Sequence, residues 1–126
     1  MPILLFVYGT LHPDRAPREI AHAARRLTLV GPATIRGHLY HLGAYPGVVL
    51  ASHHDPAQPE VPGHLFHVPD AATLAALDAY EGFRPADPAA SLFLRVEAPA
   101  TTPHGAIHSC QVYVYNGRLP ADSVAP

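Results

Sequence analysis

Apolar and polar positions in this chain switch between two periods, and the switches mark its elements. Ile3-Leu4-Leu5-Phe6-Val7 is a continuous apolar run ended by Tyr8-Gly9. That pattern predicts a short strand buried on both faces. Pro17 suits the first position of a helix, and Ile20, Ala23, Ala24 and Leu27 then form one apolar stripe. Gly31-Pro32 is expected to stop it. Ala33 to Leu42 reads as a strand with Ile35 and Leu39 among polar residues, and a Gly43-Ala44-Tyr45-Pro46-Gly47 turn leads into Val48-Val49-Leu50. Ser52 to Pro59 reads as a polar loop. Val61 to Val68 is a further strand, in which Pro62 predicts a sheet edge or a bulge.

Asp70 is a fitting helix N-cap, with Leu74 and Leu77 on the buried stripe. Arg84 to Ala90, holding Pro85 and Pro88, reads as a loop. Phe93 to Glu97 and Ile107 to Tyr115 read as the last strands, and a polar tail begins at about residue 116. With no internal repeat and no linker, residues 1–126 form a single domain. Several strands and two short helices make it α+β, with a curled or barrel-like sheet.

Composition narrows the function classes. The length of 126 residues and 48% apolar content suit one globular core. A net charge of −2 carries no footprint for nucleic acid. The eight basic residues are all Arg, which excludes a lysine Schiff base or nucleophile. Cys110 stands alone, so no internal disulfide forms, and its place in an alternating run favours a buried, inert thiol. No run approaches the ~20 apolar residues of a membrane span. Met1-Pro2-Ile3 lacks a basic region and cleavage site of a secretion signal, so a cytoplasmic location with no membrane partner is the expectation.

The candidate chemistry begins at Glu81. On a helix opened by Asp70, with Leu74 at zero, Leu77 lies at about −60° and Glu81 at about −20°. Asp78, at about +40°, falls nearer the flank. Glu81 therefore projects along the core-facing stripe, in the last turn before Gly82, where the negative helix pole disfavours a carboxylate. Burial and pole together predict a raised pKa, which suits a general acid/base near neutral pH. An early-fraying helix with a solvated Glu81 is the plainer alternative. At the other end, Gly9 leaves a buried strand, and the amides of Gly9, Thr10 and Leu11 could converge on a carboxylate or an oxyanion. An ordinary strand-to-loop turn has the same sequence.

From Phe6 to about Asn116 the chain resembles the gamma-glutamylcyclotransferase-like family, including its gamma-glutamylamine cyclotransferases and small bacterial members. The resemblance rests on an ordered series: Val7-Tyr8-Gly9-Thr10-Leu11, Gly37-His38-Leu39-Tyr40, Gly43-Ala44-Tyr45-Pro46-Gly47, Val61-Pro62-Gly63-His64-Leu65-Phe66, Leu77-Asp78-Ala79-Tyr80-Glu81-Gly82, Arg95, and Val112-Tyr113-Val114-Tyr115-Asn116. It implies a mixed domain around a small β-barrel. The Tyr8 to Leu11 loop would hold the glutamyl part of a substrate and Glu81 would be the acid/base, with no metal or organic cofactor. The implied reaction is cyclisation of a γ-glutamyl amine or peptide to 5-oxoproline with release of a free amine. Tyr45, Arg95 and Tyr115 are further candidates for lining the substrate pocket. Each tyrosine equally suits core packing, and Arg95 could instead pair with Glu97 or Asp87. The chain departs from the family pattern at Phe93, where many relatives carry Tyr.

Ten histidines raise the question of a metal. His64 and His67 lie three apart in a strand-like run and point to opposite faces, as do His38 and His41. His104 and His108 would be ~13 Å apart along a strand. His53-His54 reads as solvated, so a metal site is not expected. Two other readings remain: a non-catalytic module that binds a γ-glutamyl-type ligand, and an interaction domain whose exposed β-edge forms a homodimer.

Overall fold

The computed structural model describes residues 3–8, 18–41, 46–50 and 59–116. Its strands are β1 (Ile3–Val7), β2 (Thr28–His41), β3 (Pro46–Leu50), β4 (Glu60–Val68), β5 (Phe93–Thr101) and β6 (Ile107–Tyr115). Helix α1 (Arg18–Ala24) follows β1, and α2 (Ala71–Glu81) follows β4. The strand order is β3-β2-β4-β1-β6-β5, and a β2–β5 pairing at Thr34↔Thr101 closes five strands into a barrel. β1 and β6 run parallel through Leu5↔Gln111 and Phe6↔Val112, and the other pairs are antiparallel. The expected barrel and two short helices are therefore present. No helix among the described residues is long and apolar enough to cross a membrane.

Strand alternation divides the apolar residues into two cores. Phe6, Ala33, Ile35, Val61, Leu65, Ala98, Ala100, Cys110 and Val112 fill the barrel, with Val48 of β3 against them. Leu5, Val7, Phe66, Val68, Phe93 and Tyr113 point outward and meet Ile20, Ala23 and Leu27 around α1, and Leu74 and Leu77 of α2. β1 is apolar throughout because it serves both cores, which explains its unbroken run. Cys110 is buried in the barrel, where its thiol donates to the Ala98 carbonyl at 3.3 Å. Burial, with the Glu97 charge, pushes that thiol up to about 11, so little thiolate forms at neutral pH.

One local expectation is corrected and another is narrowed. Gly31-Pro32 does not end an element; it lies inside β2, which starts at Thr28. α1 has already ended at Ala24, and the register shift between Leu29 and Gly31 marks a bulge carried by Gly31 at φ 155°. Past the bulge the 14-residue strand stays on β4 through Arg36 and pairs with β3 from Gly37 onward. Pro62 marks no bulge, but it does lie at a local edge, where β4 is paired with β2 alone among the described residues. It sits in the central strand β4 opposite Thr34, beyond the point where β1 pairing ends at Val7↔His64. The Arg84–Ala90 loop contains one 3-10 turn, Pro88–Ala90. Most of the Ser52 to Pro59 loop lies outside the described residues.

Gly63 shows how tightly β4 crosses β1. A Cβ there would stand 2.5 Å from the Val7 carbonyl oxygen and 2.6 Å from Phe6 Cζ. The Val7 obstacle is backbone, and Phe6 is buried in the barrel, so neither can yield cheaply. Gly63→Ala is expected to cost at least about 2 kcal/mol, measured as a lower urea midpoint at unchanged slope. Wild-type stability in that variant would show that the two strands can separate there.

Candidate active site

Helix α2 carries Glu81 to the edge of the barrel. Asp70 caps its start, accepting from the Thr73 amide at 2.8 Å, and Thr73, through its side chain first and its amide second, holds the Asp70 carboxyl below its ordinary range. Gly82 closes its end at φ 74°, a left-handed conformation that favours glycine. The Gly82 amide donates to Ala79 O at 3.2 Å and the Phe83 amide to Asp78 O at 2.9 Å. The Leu92 amide then donates to Gly82 O at 3.1 Å, joining the helix end to the approach of β5. Ser91 Oγ accepts from the Arg84 amide at 2.8 Å, which folds the intervening loop onto itself.

Glu81 is half-buried in the final turn. Loss of hydration pushes its carboxyl up to about 7. It stands within Coulombic reach of two phenols, the half-buried Tyr8 and the buried Tyr113. Both are held well above the ordinary tyrosine range, chiefly by burial. The Tyr8 hydroxyl donates to the Tyr113 carbonyl at 2.6 Å and accepts from the Val48 amide at 3.2 Å. It thereby ties the end of β1 to β6 and β3. With its one proton committed to a carbonyl, the Tyr8 hydroxyl is first a structural tie.

The helix stripe differs from the expected one. Asp78, placed on the flank by rotation alone, is 6% exposed and lies deeper than Glu81. It accepts from Arg95 Nε at 2.8 Å, Arg95 Nη2 at 3.3 Å and the Tyr113 hydroxyl at 2.7 Å. Arg95 also gives Nη1 to Gln111 Oε1 at 2.8 Å, and its guanidinium lies 5.5 Å from the centre of the Phe83 ring. Its partner is therefore Asp78, and neither Glu97 nor Asp87. The reason is the barrel wall: Phe93, Arg95 and Tyr113 share the outward face that α2 covers, whereas Val96, Ala98 and Val112 point inward.

Of the residues expected at the site, Tyr8, Glu81, Arg95 and Tyr115 are described. Tyr8, Glu81 and Arg95 converge through Tyr113. Tyr115 packs edge-on against Phe93, with ring centres 5.6 Å apart, at the end of β6. Gly9, Thr10, Leu11 and Tyr45 lie outside the described residues. Asp78, Tyr113 and Gln111 were missed as site residues. A charge at Arg95 inside an apolar strand was the available signal, because a half-buried guanidinium requires partners. A cleft of about 590 Å³ opens beside the end of β1, bordered by Val7, Tyr8, Thr34, Gly63, His64 and Thr101 among others. Glu81 is not on its wall; Tyr8 borders the cleft and lies near the carboxyl. Among the described residues no three His, Cys, Asp or Glu side chains are grouped to hold a metal.

The Glu81 environment has a consequence for stability. A glutamate that titrates near 4.5 when unfolded and near 7 when folded is bound to a proton only in the folded state between those values. Its contribution is fully present below about 4.5 and is lost as pH rises through about 7. Glu81→Gln should therefore match the wild type at pH 4.5 and exceed it by about 1–3 kcal/mol at pH 8, by urea denaturation at each pH. An equal difference at both pH values would contradict a desolvated carboxyl.

Comparison with known proteins agrees with this architecture. Comparison with curated protein sequences returned no match. Among solved structures, an Arabidopsis thaliana protein superposes with a TM-score of 0.71 at 22% identity, over 99% of this chain and 76% of that one. An AIG2-like protein from Mus musculus gives 0.67 at 17% identity, over 99% of this chain and 88% of that one. YkqA from Bacillus subtilis gives 0.68 at 22% identity over 96% of this chain, which spans 38% of YkqA's length. At these identities the likeness concerns the fold. The model of the family described as "Gamma-glutamyl cyclotransferase, AIG2-like" matches residues 5–125, and the chain belongs to that family.

Proposed function

We propose that this protein cyclises a γ-glutamyl amine or peptide, releasing 5-oxoproline and a free amine, with Glu81 as the acid/base. The observation that carries this reading is a carboxyl at the end of α2 whose proton affinity is raised to near neutrality by lost hydration, within Coulombic reach of the phenols of Tyr8 and Tyr113. An ordinary surface glutamate would be too weak a base at pH 7 to take a proton from an ammonium group efficiently. Membership of the gamma-glutamyl cyclotransferase family supports the reaction class.

The substrate's own α-amino nitrogen attacks the γ-carbonyl carbon. The new C–N bond closes a five-membered ring, and the bond to the leaving nitrogen breaks. Glu81 takes one proton from the α-ammonium group, which frees the amine to attack, and gives it to the leaving nitrogen. The ring nitrogen sheds its second proton on closure, the leaving amine takes it up and departs as an ammonium, and the protein ends as it began. Attack within one molecule requires no protein nucleophile, which fits an unreactive Cys110. Orientation supplies much of the rate, since well-placed internal attack reaches effective molarities of about 10⁵ M or more. In this reading the amides of Gly9, Thr10 and Leu11 hold the glutamyl oxygens, and Tyr45 and Tyr115 border the substrate. The protein would work in the cytoplasm.

Mass spectrometry of 5-oxoproline released from a panel of γ-glutamyl amines and peptides tests the reaction. Glu81→Gln should lower kcat by about 10²–10⁴-fold while retaining the fold. Because the base must be unprotonated, kcat/KM should fall as pH drops through about 7. Wild-type turnover by Glu81→Gln would remove Glu81 from the mechanism. Ligand protection without product from the wild type would favour a binding module.

A further inference from the structure

Asp78 is the anchor of the helix end on which Glu81 stands. Both its carboxylate oxygens are engaged, one by Arg95 Nε and the Tyr113 hydroxyl, the other by Arg95 Nη2. Its backbone carbonyl takes the Phe83 amide, a bond that closes α2 just past Glu81. Arg95 is committed as well, through Asp78, Gln111 and the Phe83 ring. Glu81 follows Asp78 by three residues, so the two carboxyls are neighbours on one helix face, about 5–6 Å apart at Cβ.

The other groups around Glu81 divide clearly. β1 contributes Tyr8 and β6 contributes Tyr113. β4 meets α2 with the apolar Phe66 and Val68. The turn after α1 meets the far end of α2 through the pair of Arg26 with the N-cap Asp70. Among the described residues, the charges that meet at this end of α2 are those of Asp78 on its own helix and Arg95 on β5, which form one ion pair, while Arg84 follows Glu81 by three residues on the exposed loop.

We propose that Asp78 and Arg95, with Tyr113, are a positioning unit for Glu81: they fix the end of α2 and present its carboxyl with a balanced pair of charges, and Arg95 does not hold substrate. This rests on Glu81 being the acid/base. Its distinguishing consequence is a pair of opposite effects. Asp78→Asn leaves the Arg95 cation unbalanced, which favours the Glu81 carboxylate and lowers its titration midpoint. Arg95→Gln leaves the Asp78 anion unbalanced and raises it. A role confined to packing would not produce opposite signs.

The test is a carbon-13 NMR titration of the Glu81 carboxyl in the wild type and both folded variants. The expected displacement is about one pH unit, downward in Asp78→Asn and upward in Arg95→Gln. Displacements of the same sign, or both below about 0.2 unit, would overturn the proposal. Arg95→Lys, which keeps the charge, carries the test if either variant fails to fold. Its Glu81 midpoint should stay within about 0.3 unit of wild type, with kcat for 5-oxoproline release lowered about tenfold at unchanged KM. A tenfold rise in KM at unchanged kcat would instead make Arg95 a substrate contact and end the proposal. The titration needs no turnover, so absence of 5-oxoproline would defeat the functional reading while leaving the titration to decide this one.

Discussion

A carboxyl at the negative pole of a helix, half removed from water, must be held in place by something other than its own interactions. Here the constraint is met one turn earlier, where Asp78 joins α2 to β5 through Arg95 and to β6 through Tyr113. Desolvating an ion pair of this depth costs about as much as its attraction returns, so little net stability follows from it. What it confers is geometry. Asp78 can be satisfied in only one rotation and one height of α2 over the barrel wall, and Glu81 inherits both.

The same wall explains why the barrel and the site cannot be separated. The tie made by Tyr8 runs from the end of β1 to the carbonyl of Tyr113, whose own hydroxyl meets Asp78. A backbone group and a side chain of one residue thus connect the barrel mouth to the helix end. β2 adds the closure: its length lets it bond β4 and β5 on its two sides at Thr34 and β3 from Gly37 onward. Phe93 is buried and edge-on to Tyr115. Its ring serves the outer core, and a tyrosine in that place would have to bring its hydroxyl to a polar partner.

Much of this was visible in the chain itself. Residues 3–7, 48–50 and 61–68 carry strand patterns because burial on one or both faces leaves a direct mark on composition. Asp70 and Gly82 bound α2 through local chemistry, an oxygen for orphan amides and a residue that tolerates positive φ. Glu81 stood out because it breaks two local rules at once, and such conflicts are readable without a fold. Gly31-Pro32 misled because the same dipeptide that ends a helix also suits a bulge, and only the pairing of this segment with β4 decides between them.

The sequence by itself therefore determined the element types, the α+β class, the ends of α2 and the oddness of Glu81, all of which depend on residues within a turn or a pleat of one another. The tertiary structure alone decided that Arg95 meets Asp78, that Tyr113 joins them, and that Asp78 is the deeper of the two acids on α2. Those contacts link residues 17 to 35 positions apart. Their existence depends on which face of β5 and β6 the helix covers, and neither periodicity nor rotation angle within a single element contains that choice.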